Sequence, residues 1–85
     1  MNGFELVMLR VVLRDRATQR LVEVRVEPGE EAGDEWVEVF VDGRIRADGA
    51  LGDIPTTMKA AAFAAVLDSR LLRRRLAADV PAGET

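Results

Sequence analysis

Histidine, cysteine and tyrosine are absent from this 85-residue chain. With them go the commonest general bases and nucleophiles. What remains for chemistry is carboxylates, Lys59, Ser69 and the threonines. Lys59 opens a helical segment, where a solvated lysine is the ordinary outcome. Ser69 lies on a stripe of small residues, where packing accounts for it. The sequence GALGD, Gly49 to Asp53, has no following lysine or serine, unlike a loop that cradles phosphate. No thiolate or imidazole can ligate a metal, and the acids of Glu27 to Glu38 follow no calcium-loop spacing. The residue types predict a protein that is not an enzyme and uses no cofactor and no metal.

Eleven arginines are the other chemically distinctive set. Arginine offers planar, stacking, bidentate donors suited to phosphates and carboxylates. Yet 15 acids outnumber 12 bases, giving a net charge of −3, and a phosphate-binding coat is disfavoured. What the arginines can do depends on which face of which element holds them.

Phe4 to Arg14 reads as a long strand with apolar residues in both alternating sets, as for a strand covered on both sides. Asp15 to Thr18 is read as a four-residue turn. Arg20 to Glu27 alternates cleanly, with Val22, Val24 and Val26 to one side. That turn sets Val11 opposite Val22, Leu9 opposite Val24 and Arg10 opposite Glu23, a favourable cross-strand pair. Glu27 to Glu35 is a polar loop, and the acidic stretch Glu27 to Glu38 is read first as solvated and second as a docking surface for a basic partner. Trp36 to Val41 is the third strand. Asp42-Gly43 signals a hairpin. A two-residue loop would put Arg44 and Arg46 on the apolar side, so a three-residue loop is expected, with Val39 opposite Ile45 and Val37 opposite Ala47. The reverse face then carries Phe4, Trp36 and Phe40 among Arg10, Arg14, Arg25, Arg44 and Arg46. Aromatics among arginines on an open sheet are a means of gripping single-stranded nucleic acid. Glu23, Glu27, Glu38 and Asp48 on the same face would cancel much of that field.

After Ile54-Pro55, Thr56 is placed to cap a helix running to about Asp79, with Asp53 as the alternative cap and Val80-Pro81 ending the helix. Residues 81–85 are expected to be a flexible tail and residues 1–80 one domain. At 100° per residue the helix has two apolar stripes. One holds Met58, Ala61, Ala62, Ala65, Ser69, Leu72 and Leu76; nearly opposite lie Ala60, Phe63, Ala64, Leu67, Leu71 and Ala78. A four-stranded sheet covers only one stripe, and a helix apolar all round is expected to be buried. The second stripe therefore predicts a homodimer interface across a two-fold axis. The competing reading is that Phe63, Leu67 and Leu71 form the only core face and the alanines lie exposed, as strong helix formers tolerate.

Two likenesses bear on function. Trp36 to Leu67, WVEVFVDGRIRADGALGDIPTTMKAAAFAAVL, resembles the C-terminal half of double-stranded-RNA-binding domains: strand, turn, strand, glycine-bearing connector, alanine-rich helix. Here Thr56-Thr57-Met58-Lys59 carries one lysine where that family has a basic pair, and the N-terminal half is strand rather than helix. Four strands followed by one helix is also similar in element order to the single-stranded-DNA-binding transcription cofactors that dimerise through that helix. The expectation is an α+β fold: a four-stranded antiparallel meander (ββββα) with one long C-terminal helix packed on one sheet face. The expected role is a small non-enzymatic interaction module, an adaptor or inhibitor, working as a homodimer or with another protein. The alternative is a nucleic-acid-binding module. The N-terminal run lacks a basic lead-in and a cleavage site, and no segment is long and apolar enough to span a membrane, so a cytoplasmic protein is expected.

Overall fold

The computed structural model describes residues 3–31 and 33–78 in full. Four antiparallel strands, β1 (Leu9–Arg14), β2 (Leu21–Glu27), β3 (Trp36–Val41) and β4 (Arg44–Ala50), form one sheet in the order β1-β2-β3-β4. A short 3-10 turn (Leu51–Asp53) leads into α1 (Thr56–Glu84), which lies across one face. This is the expected α+β meander with its C-terminal helix. The expected helix end near Asp79 and the tail at 81–85 lie outside the residues described in full.

Valine alternation builds the covered face. Val24 pairs with Val39 and Val26 with Val37, and all four are fully buried. Ile54 closes one end, and α1 lays Ala62, Ala65, Val66 and Ser69 onto them. The Ser69 hydroxyl donates to the Val66 carbonyl at 2.8 Å, so its burial leaves no polar atom unsatisfied. The alanine stripe is thus the inward one, and the competing arrangement, with Phe63, Leu67 and Leu71 as the core face, is not adopted. Among the described residues no buried hydrophobic side chain is larger than isoleucine. The result is a thin slab of 49 × 23 × 17 Å with a radius of gyration of 14.5 Å, against about 12 Å for a compact chain of this length. Strands of six or seven residues span about 20–23 Å, so the helix outruns the sheet.

Three local expectations are corrected. β1 begins at Leu9, not Phe4. Its partner β2 ends at Glu27, opposite Trp36 and one residue past the Leu9–Val26 pair, and Pro28 beyond it offers no N–H. β1 is also an edge strand whose outer face is open, not a strand covered on both sides.

The first hairpin is displaced by two residues: Val11 meets Val24, Leu13 meets Val22 and Arg10 meets Arg25. The loop does hold four residues, but they are Arg16 to Gln19, closed by the Asp15 N–H on the Arg20 carbonyl at 2.9 Å. The Asp15 carboxylate fixes this choice by accepting from the Ala17 and Thr18 N–H groups at 2.9 and 3.4 Å, an Asx turn. Gln19 completes the reversal at φ 65°. A shift of two preserves the faces, and Arg10 still reaches Glu23, diagonally, at 2.9 Å.

The second hairpin uses the two-residue turn after all. Asp42 and Gly43 have φ of 51° and 85°, as a type I′ turn requires, and Val41 meets Arg44. Uninterrupted, that register would press Arg46 onto Val39. A bulge at this point lets Ala47 meet Val39 and Gly49 meet Val37, while Ile45 meets Phe40. The inserted residue reconciles the turn with an apolar core.

Candidate interaction surfaces

The outward stripe of α1 carries three large apolar side chains. Phe63 is 47% exposed, Leu67 41% and Leu71 52%. Ala60 and Ala64 lie exposed beside them. The five residues expected at a dimer interface are therefore brought together on one continuous, uncovered helix face.

The outer sheet face gathers only part of the expected arginine–aromatic set. Arg10, Arg25, Trp36 and Phe40 share it, and Trp36 is 48% exposed. Arg25 stands with its guanidinium carbon 4.4 Å from the Phe40 ring centroid, within cation–π range. Its Nε also donates to Glu23 at 2.6 Å, and Arg10 binds the same carboxylate oxygen at 2.9 Å. The Arg25 hydrogen bond, helped by the charge of Arg10, holds Glu23 below the usual carboxylate range. Arg44 sits at the hairpin end opposite Val41, and the bulge sets Arg46 beside the helix-covered face. Arg14 closes the end of β1, its Nη1 donating to the Gln19 carbonyl at 3.1 Å. Phe4 lies outside the sheet, near Arg73 and Leu76 of the helix. Five arginines converging on one face is not what the chain builds.

One polar contact was missed by sequence reasoning. Glu35, placed in a loop read as solvated, is 2% exposed. Its two oxygens accept from Arg70 Nε at 2.8 Å and Nη2 at 3.0 Å, and the Gly33 N–H donates to one of them at 3.0 Å. This fork ties the β2–β3 loop to the helix. The Arg70 hydrogen bonds hold Glu35 below the ordinary carboxylate range against the opposing effect of burial, and Glu35 in turn raises Arg70. A signal was present: Glu35 extends the alternation of Val37, Val39 and Val41 by one step onto the covered face. Gly29 lies in the same loop, where an added Cβ would collide with the Cβ of Asp34.

Among the described residues no cluster of acids is placed to hold a metal ion, and no helix is long and apolar enough to cross a membrane. No protein-family model, no curated protein and no solved structure matches the chain.

Proposed function

We propose that this chain is a small non-enzymatic protein-interaction module, adaptor or inhibitor in type, acting as a homodimer through its helix and sheet surfaces. One observation carries this reading: α1 turns Ala62, Ala65 and Val66 inward and leaves Phe63, Leu67 and Leu71 about half exposed to water. Each is about half exposed, so covering it is worth roughly 1 kcal/mol, and a two-fold contact covers six such side chains. An antiparallel pairing centred on Leu67 sets Phe63 against Leu71 of the second copy and the small Ala64 against Arg70. A parallel pairing would gather the arginines of both helix ends and is disfavoured by their charge.

Light scattering at micromolar concentration tests the reading. The wild type is expected at twice the chain mass and Leu67→Glu at the chain mass, with helix content unchanged by circular dichroism. A wild type at the chain mass refutes the dimer. The alternative, nucleic-acid binding on the outer sheet face, draws its support from exposed Trp36 and the Arg25–Phe40 stack. Fluorescent oligonucleotides at two salt concentrations decide it. Binding that weakens steeply with salt supports it, and no binding at low salt ends it.

A further inference from the structure

We infer that the corner of the sheet beside the start of α1 is a binding site for a small anionic amphiphile, a carboxylate or phosphate head on an apolar tail. A groove of about 580 Å³ opens there, within the range of ordinary small-molecule sites. Leu13, Val22 and Val41 of the sheet and Met58 and Ala61 of the helix give it an apolar floor and wall. Arg14, Arg20 and Arg46 stand around it.

The charges facing the groove do not cancel. Asp15 is its one lining acid, and one oxygen of that carboxylate already accepts from the Ala17 and Thr18 N–H groups. Asp42 lies near Arg20, but at 3.7 Å and with both side chains more than half exposed, a contact of little strength. Arg14 spends one nitrogen on the Gln19 carbonyl. Among the described residues the Arg46 guanidinium has no hydrogen-bond or ion-pair partner.

Arg46 is also the residue that the β4 bulge displaces. Bulges re-aim side chains, and this one carries an arginine to the groove instead of pressing it onto Val39. A guanidinium beside an apolar trough recognises an anionic head whose tail can be sheltered from water. A phosphodiester chain has no such tail, so the floor argues against a nucleic-acid strand as occupant. Ala60 lines both this groove and the outward helix stripe, whereas the three arginines that carry the inference lie off that stripe.

Calorimetric titration of the full chain with decanoate, decyl phosphate and decanol, each below its micellar concentration, tests it. Saturable binding of at least one anionic probe at one per chain is expected, with decanol at least about tenfold weaker. The stronger of decanoate and decyl phosphate identifies the head group. Arg46→Gln is expected to weaken the anion about tenfold, while Arg44→Gln, an arginine outside the groove, leaves it unchanged. Absence of saturable binding by both anions overturns the inference. So does an equal loss in the two variants, or decanol binding as tightly as the anions.

Discussion

Replacing Arg70 by alanine isolates the fork that holds the β2–β3 loop to the helix. The substitution removes two of the three hydrogen bonds to a carboxylate that is 2% exposed, leaving only the Gly33 N–H. Stranding a fully buried charge costs about 3–5 kcal/mol. The Arg70 side chain is 30% exposed, so water enters the vacated space, and about 2–3 kcal/mol is the expected loss. Glu35→Gln keeps one acceptor for the arginine and removes the charge, for an expected loss of about 1–2 kcal/mol. The pH dependence follows from the lowered folded-state pKa of Glu35. Its stabilisation is fully present above the unfolded carboxylate value of about 4.3 and is lost as pH falls through the lower folded value. Urea unfolding at one fixed protein concentration, at neutral pH and through the acid range, measures all three quantities. Glu35→Gln should flatten the acid side of the curve. The reasoning fails if Arg70→Ala unfolds within about 0.5 kcal/mol of wild type, or if Glu35→Gln retains the full acid sensitivity.

Two further substitutions test the loop and the sheet faces. Gly29→Ala, whose new methyl would collide with Asp34, should lower stability by about 1–3 kcal/mol in the same urea assay. Trp36→Ala, on the uncovered face, should change it by no more than about 1 kcal/mol and leave the circular dichroism spectrum intact; an unfolded product would mean that the faces are assigned backwards.

The strands and helix stripes were legible because valine at every second position and alanine at helical spacing report burial directly. Register was not, because it turned on groups whose role is local and polar. The Asp15 carboxylate decides where the first loop closes, and a shift of two leaves the apolar pattern unchanged, so hydropathy could not reveal it. At Asp42-Gly43 the turn chemistry and the face of Arg46 conflicted, and the chain satisfied both by inserting a residue. β1 lost its first five expected residues because a strand needs a partner, and the partner stops before Pro28. The outward helix stripe was readable residue by residue, whereas the arginine–aromatic face kept only Arg10, Arg25, Trp36 and Phe40, because Arg44 and Arg46 follow the turn and its bulge and Phe4 and Arg14 lie off it. Glu35 was legible only through its parity with Val37, a signal masked by its acidic neighbours.

The small size of the buried side chains has a calorimetric consequence. Heat-capacity change on unfolding follows the hydrocarbon newly wetted, and an ordinary chain of this length gives about 1.0–1.3 kcal/mol/K. Among the described residues the sealed hydrophobic interior holds five valines, two alanines and an isoleucine, while Phe4, Phe63, Trp36 and several leucines are already partly hydrated. A single subunit should therefore melt with an increment below that range and show a shallow stability curve, little weakened by cold. Whatever sheathes the bulky residues would steepen it.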